Sequence, residues 1–176
     1  MKNSNQDITR FAFVAGLILL AALTRLLPHP ANLTAIMAIA LFGGAKFTDR
    51  RVAIVLPLIM MLLTDLIIGF YSLMPVVYSC IVVTTLAGIY VGKKNKVAYI
   101  IGGSLFSSIL FFLCTNTAVW YHDPKYSQDF AGLMLCLEAG IPFFKNQVFG
   151  DLFFNGVLFG TYKLATRRFP KLALQS

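Results

Sequence analysis

Residues 97–120 read VAYIIGGSLFSSILFFLCTNTAVW and contain no charged side chain. An α-helix rises about 1.5 Å per residue, so this stretch is long enough to cross the hydrocarbon core of a bilayer, which is about 30 Å thick. In lipid every backbone N–H and C=O group needs a partner within the protein, and a helix supplies that partner inside a single segment. The stretch therefore predicts a membrane-spanning α-helix.

Similar apolar stretches recur along the chain. We predict six membrane spans, at residues 11–27, 33–46, 52–70, 74–92, 97–120 and 146–164. The second span is short and rich in small residues, so we expect it to pack inside the bundle. Residues 131–144 are apolar but short and contain Glu138, and they predict a re-entrant or interfacial helix. The predicted fold class is an all-α membrane protein, a six-transmembrane-helix bundle with one short re-entrant or interfacial helix, in a single domain over residues 1–176.

The composition supports this fold class, since 58% of the residues are apolar, 12% are charged and the mean hydropathy is +0.76. A soluble domain usually has about 25% charged residues and could not bury so much apolar surface. The three cysteines fall in apolar stretches and none belongs to a CxxC pair, so a disulfide framework is not expected.

The positive charges determine the predicted orientation. If the N-terminus is cytoplasmic and the chain crosses six times, most lysines and arginines lie on the cytoplasmic side, as the positive-inside rule requires. The predicted inner cations are Lys2, Arg10, Lys46, Arg50, Arg51, Lys93, Lys94, Lys96, Lys163, Arg167, Arg168 and Lys171. The predicted outer cations are Arg25, Lys125 and Lys145. We therefore predict a multi-pass protein of the bacterial inner (cytoplasmic) membrane with cytoplasmic N- and C-termini, whose net charge of +8 needs no nucleic acid partner.

Polar side chains cluster near the predicted outer ends of the spans. Such groups are costly in lipid unless they are paired or solvated, so they mark candidate functional sites. We predict an outward-facing site for a small-molecule substrate, formed by His29, Asn32, Asp65, Tyr78, Cys80, Asn116, Trp120, Glu138, Asn146, Asp151 and Asn155. The alternative is that these groups satisfy one another, with Arg25 paired to Asp65 or Asp151 and asparagines bridging helices.

The sequence contains no HExxH, GxSxG or glycine-rich phosphate-binding motif. We therefore predict no catalytic residues, no cofactor and no metal site. Cys80 lies early in the fourth span, and Thr84 follows one turn later on the same face. A thiol at this position could ligate a soft metal centre, or it could be a small apolar core residue.

Small residues four positions apart on a helix let a neighbouring helix approach closely. Three such pairs are Ala12 and Gly16, Ala40 and Gly44, and Gly156 and Gly160. The first pair lies near the predicted cytoplasmic end of the first span, where a partner subunit could dock.

Four motifs, taken in order, resemble a known family. They are PHPxN at residues 28–32, TDxxxGFY at 64–71, TNxxxW at 115–120 and PFFxNxxxGD at 142–151. The set resembles a bacterial membrane family known only as a domain of unknown function, and the resemblance covers nearly the whole chain. The size and topology are similar to those of the S-components, the substrate-binding subunits of energy-coupling-factor (ECF) vitamin transporters.

The resemblance to S-components implies that a vitamin or cofactor precursor binds near the outer face, and that a transmembrane coupling subunit and ATPases drive its uptake. The helix face formed by Ala12 and Gly16 would then dock on the coupling subunit. One cobalamin-binding member of that class uses a membrane cysteine as a cobalt ligand. The resemblance therefore implies that Cys80 could be an axial ligand if the substrate is cobalamin.

The sequence leaves three functions open. The first, which we favour, is small-molecule binding and uptake by an S-component-like protein in the lipid bilayer. The second is an intramembrane enzyme acting on a lipid or prenyl substrate, whose acid–base groups would be Asp65, Glu138, Asp151 and His29. The third is a membrane assembly subunit.

Overall fold

The computed structural model describes residues 4–172, with side chains from residue 7 onward. Lys2, one of the predicted cytoplasmic cations, lies outside the described residues. Within them the chain forms six α-helices, two short 3₁₀ turns and no β-strand. The helices are α1 (Ser4–Leu23), α2 (Ile36–Lys46), α3 (Arg50–Ile68), α4 (Met74–Lys94), α5 (Val97–His122) and α6 (Phe130–Arg168). The prediction of an all-α protein is confirmed.

Four segments of this bundle are long and apolar enough to cross a membrane. They are Asp7–Leu26, which continues α1 through a 3₁₀ turn, and the helices α3, α4 and α5. α2 is apolar but has only 11 residues, about 16 Å of helix. It begins at Ile36 rather than at residue 33, after an irregular segment, residues 27–35, that contains Pro28 and Pro30. Proline lacks an N–H group and disfavours helix in the residue before it.

The expected short helix over residues 131–144 is not a separate element. It is continuous with the predicted sixth span, and together they form α6, a helix of 39 residues and about 58 Å. The prediction of a separate re-entrant or interfacial helix is therefore wrong. Pro142 lies inside α6 without ending it, as happens in membrane helices when neighbouring groups satisfy the freed carbonyl.

Asp129 defines the start of α6. Its carboxylate accepts hydrogen bonds from the N–H group of Gly132 at 2.7 Å and from the hydroxyl of Ser127 at 2.8 Å. These bonds stabilise the charged form and lower the pKa of Asp129. The capping carboxylate also lies at the positive end of the helix dipole, which favours a helix start at this position.

α2 is the buried centre of the bundle. All of its residues from Met37 to Lys46 are buried, and each of the other five α-helices packs against it. The expectation that the second predicted span lies inside the bundle is confirmed. A helix enclosed in this way exposes little backbone or side chain at the surface of the bundle, so its short length does not leave polar groups exposed there.

The backbones of α2 and α4 touch directly. A Cβ atom at Gly88 would lie 2.3 Å from the carbonyl oxygen of Leu41. At Gly44, a Cβ atom would lie 2.2 Å from the carbonyl oxygen of Thr85. The close packing predicted for the face of Gly44 is present, and it depends on glycine in both helices.

The other two predicted small-residue pairs differ from this one. At Gly16, Gly156 and Gly160 a Cβ atom would have no neighbouring heavy atom within 4 Å in the described chain. These glycines therefore do not serve close helix packing within the bundle itself.

We expect Gly88→Ala to destabilise the bundle, because the new methyl group forces the backbones of α2 and α4 apart. Overpacking of this kind typically costs about 1–3 kcal/mol. Gly102→Ala is the matched control, since α5 has open space around that position. Thermal unfolding of the purified variants in detergent measures the effect, and equal midpoints for the two variants would show that the contact is not tight.

Candidate functional site

A cavity of about 750 Å³ lies at the end of the bundle where α2 begins. We call it the main cavity. It is bounded by the 27–35 segment, the end of α3, the start of α4, the end of α5 and the first half of α6. Its polar lining residues are Arg25, His29, Asn32, Thr34, Tyr71, Thr115, Asn116, Tyr126 and Gln147. The remaining lining is mostly apolar, and the volume falls in the range of about 300–1,000 Å³ that is typical of small-molecule sites.

The short central helix explains the position of the main cavity. α2 has 11 residues and α3 has 19, so α2 is about 12 Å shorter than its neighbour. The two helices are joined by the short connection between Lys46 and Arg50, which brings those two ends close together. The missing length therefore falls at the other end of α2, where Thr34 and Ile36 line the cavity.

A buried ion pair forms one wall of the cavity. Arg25 Nη1 donates hydrogen bonds to Asp65 Oδ1 at 2.5 Å and to Thr64 Oγ1 at 2.7 Å. The hydroxyl of Tyr78 donates to Asp65 Oδ2 at 2.9 Å. Asp65 is fully buried, whereas the side chain of Arg25 remains 12% exposed and lines the cavity. Asp65 thus holds the guanidinium in place and is itself held by Tyr78, and neither Asp65 nor Tyr78 lines the cavity.

The 27–35 segment brings His29 and Asn32 to the cavity. Asn32 has a left-handed backbone conformation with φ of 62°, which asparagine tolerates better than most residues. Asn146 of α6 secures the segment, since its side-chain amide donates to the carbonyl oxygen of Ala31 at 3.0 Å. Asn146 is therefore a positioning residue for the segment that carries His29 and Asn32.

Asn116 of α5 reaches the cavity opposite a glycine. Its amide nitrogen donates to the carbonyl oxygen of Phe112 at 2.8 Å. A Cβ atom at Gly140 would lie 2.4 Å from Asn116 Oδ1, so the absence of a side chain on α6 provides the space for this amide. The side chain of Asn116 is consequently fixed in orientation at the cavity wall.

Besides Asp65, Tyr78 and Asn146, five more predicted site residues lie outside the lining of the main cavity. Trp120 donates its indole N–H to the carbonyl oxygen of Ser127 at 2.8 Å, in the connection between α5 and α6. Glu138 is exposed on α6. Cys80 is 3% exposed and packs in an apolar cluster with Met37, Ile81 and Cys114. The remaining two, Asp151 and Asn155, are buried between α5 and α6.

The structure also adds residues to the site. Tyr71, Thr115, Tyr126 and Gln147 line the cavity but were not predicted to belong to it. A sequence signal existed for two of them, since Tyr71 ends the TDxxxGFY motif and Gln147 lies one helical turn before Asp151. No group of three or more histidine, cysteine, aspartate or glutamate residues that could hold a metal ion occurs within the described chain.

We expect Arg25→Met to destabilise the protein strongly, because it leaves the Asp65 carboxylate buried without a cation. Breaking a buried pair in this way costs about 3–5 kcal/mol. The double variant Arg25→Met/Asp65→Asn should recover part of the loss, and Arg51→Met, at an exposed position, should change little. Thermal unfolding in detergent is the measurement, and an Arg25→Met protein as stable as Arg51→Met would contradict the assignment.

Comparison with known proteins identifies the family and no individual relative. No curated protein and no solved structure matches this chain. One family model, described as a family of unknown function (DUF6580), matches residues 5–172, which is nearly the whole chain. The protein therefore belongs to DUF6580, a family of unknown function.

Proposed function

We propose that this protein binds a small molecule in the main cavity and takes part in its uptake across the bacterial inner membrane, in the manner of an S-component. The observation that carries the proposal is the cavity itself, with a volume of about 750 Å³ and a lining of apolar groups with a few fixed polar ones. This composition is typical of sites for small organic ligands.

The proposed topology has six crossings with both termini in the cytoplasm. The segment Asp7–Leu26 and the helices α3, α4 and α5 meet the length and apolarity that a crossing needs. α2 together with the 27–35 segment would form the second crossing, since non-helical backbone is tolerated at membrane depth when protein covers it. α6 would form the sixth, with its excess length extending beyond the lipid. This arrangement places the main cavity at the outer face.

The lining indicates the chemistry of the substrate. Arg25 uses part of its guanidinium for Asp65 and Thr64 and keeps further N–H groups for a ligand. Such a group binds a carboxylate, a phosphate or a carbonyl oxygen. Apolar walls, including Val77, Phe111 and Phe143, would cover the rest of the molecule. We therefore propose a vitamin or cofactor precursor with an anionic or carbonyl group on an apolar body.

The separation of the acid–base candidates favours binding over catalysis. Of the four groups proposed for an intramembrane enzyme, only His29 lines the main cavity. Asp65 is engaged by Arg25, Asp151 lies between two helices, and Glu138 is exposed on α6. Cys80 also lies away from the cavity lining, so the arrangement gives no support to a cysteine ligand for cobalamin.

The predicted docking face of α1 supports a membrane partner. Ala12 is exposed, and the position of a Cβ atom at Gly16 has no neighbouring atom within 4 Å in the described part of the chain. A helix of a transmembrane coupling subunit could therefore pack closely against this face. In the proposed function, ATPases bound to that subunit would supply the energy for uptake.

We expect protein purified in mild detergent to retain its substrate, and Asn116→Leu to lose it, because the substitution removes an oriented amide from the cavity wall. Native mass spectrometry of the intact protein measures the retained mass. His122→Leu, a substitution in the same helix at a residue that does not line the main cavity, serves as the control. Equal retention by the two variants at equal thermal stability would place the substrate elsewhere or exclude the site.

A further inference from the structure

The interface between α5 and α6 contains a series of buried polar side chains. On α6 these are Gln147, Asp151 and Asn155, spaced four residues apart and so on one face of the helix. Opposite them on α5 lie Ser104 and Ser108, both fully buried. The interface is therefore hydrophilic at a depth where helix contacts in membranes are mostly apolar.

The hydrogen bonds of this series leave two oxygens without partners. Asp151 Oδ2 accepts from the hydroxyl of Ser108 at 2.6 Å and from the side-chain amide of Gln147 at 2.9 Å. The amide nitrogen of Asn155 donates to Ser104 Oγ at 3.1 Å. Asp151 Oδ1 and Asn155 Oδ1 have no hydrogen-bond partner among the described residues, although both are buried. Each unpaired buried acceptor is costly, and a buried carboxylate without a cation is more costly still.

The series connects two cavities. Gln147 lines the main cavity. Asn155 and Ser104 line a second cavity of about 770 Å³ at the opposite end of the α5–α6 pair, where Gly156 and Gly160 leave open space. Asp151 lies one helical turn from each, so only about 12 Å of helix separates the residues that line the two cavities. Two cavities thus approach each other at a single buried carboxyl group.

We propose that Asp151 is a proton-binding site that connects the two cavities and exchanges protons with each of them. A proton bound to Asp151 Oδ1 neutralises the carboxylate and converts this oxygen into a donor. Asn155, one turn away on the same face, offers its own unpaired Oδ1 as the acceptor of that hydrogen bond. One proton would therefore remove a buried charge and satisfy both unpaired oxygens.

No charged group of the surrounding elements offers a competing partner. From α2, Lys46 lies over the rings of Phe159 and Tyr162, near the second cavity. From α1, Arg10 donates to Thr48. The titratable groups of α5 are Tyr99, Cys114, Tyr121 and His122. Those of α6 include Glu138, Lys145, Tyr162 and Lys163, and the 3₁₀ turn Pro170–Leu172 contributes Lys171. The side-chain hydrogen bonds of Asp151 in the described chain come only from Ser108 and Gln147.

The proton transfer needs no redox partner. In the loading step, a hydronium ion from one cavity gives its proton to Asp151 Oδ1, which leaves a water molecule and a neutral carboxylic acid. In the release step, the O–H bond breaks, the electron pair stays on the carboxylate, and water in the other cavity accepts the proton. A link between this proton transfer and ATPase-driven uptake rests on the proposed function, whereas the proton site itself does not.

Infrared spectroscopy of the purified protein in lipid nanodiscs tests the proton site. We expect the wild type at neutral pH to show the carbonyl stretching band of a protonated carboxylic acid, a band that a carboxylate lacks. Asp151→Asn should lose this band. The variant should still fold, because asparagine keeps an oxygen for Ser108 and Gln147 and offers an N–H group to Asn155. Asp7→Asn, at an exposed position on α1, should keep the band.

A flux measurement completes the test. In liposomes loaded with a pH-sensitive dye, an imposed pH gradient should acidify the lumen faster with wild type than with Asp151→Asn, which should match empty liposomes. The proposal is overturned if a folded wild type shows no infrared band of a protonated carboxyl group. It is also overturned if Asp151→Asn shows the same band as wild type. A third result would overturn it as well: Na⁺ raises the thermal stability of wild type but not of Asp151→Asn, and K⁺ has no such effect. That result would indicate a metal-cation site.

The proton site and the substrate-binding function can be disproved independently of each other. Retention of a small molecule in the main cavity, measured by native mass spectrometry, without the infrared band would remove only the proton site. The band and the flux without any retained molecule would remove only the proposed substrate-binding function.

Discussion

Gly44, Gly88 and Gly92 let the backbones of α2 and α4 touch, and the rest of the bundle is arranged around that contact. A side chain at any of these positions would separate the two helices, and the other helices could not then enclose α2. Because α2 is enclosed, it can be short without exposing polar backbone at the surface of the bundle. Its short length in turn leaves room for the main cavity at its N-terminal end.

The two buried aspartates show how environment determines the role of a residue. Asp65 is held by the guanidinium of Arg25 and the hydroxyl of Tyr78, so its charge is compensated and it orients a cavity residue. Asp151 receives only neutral donors and keeps one oxygen unpaired. A compensated charge is a stable part of the architecture, whereas an uncompensated one favours uptake of a proton or cation.

The polar residues expected to cluster fall into two groups in the structure. His29, Asn32 and Asn116 line the main cavity. Asp65, Tyr78 and Asn146 instead satisfy other protein groups, and they fix Arg25 and the 27–35 segment. A binding site in a membrane bundle needs such support, because an unsupported polar side chain would have several orientations and would bind a ligand weakly.

The sequence by itself determined that the protein is helical and which stretches are apolar. A stretch of about 20 residues without charge can lie in lipid only if its backbone N–H and C=O groups pair with one another, and an α-helix provides that pairing. It also showed which polar residues lie near the ends of the apolar stretches. It could not show that residues 131–144 continue into one helix, because Glu138 and Pro142 are local signals that do not end α6 in the structure. Nor could it show that Arg25 pairs with Asp65 rather than Asp151. That choice depends on which helices pack together, and helix packing is decided by contacts between residues far apart in the chain.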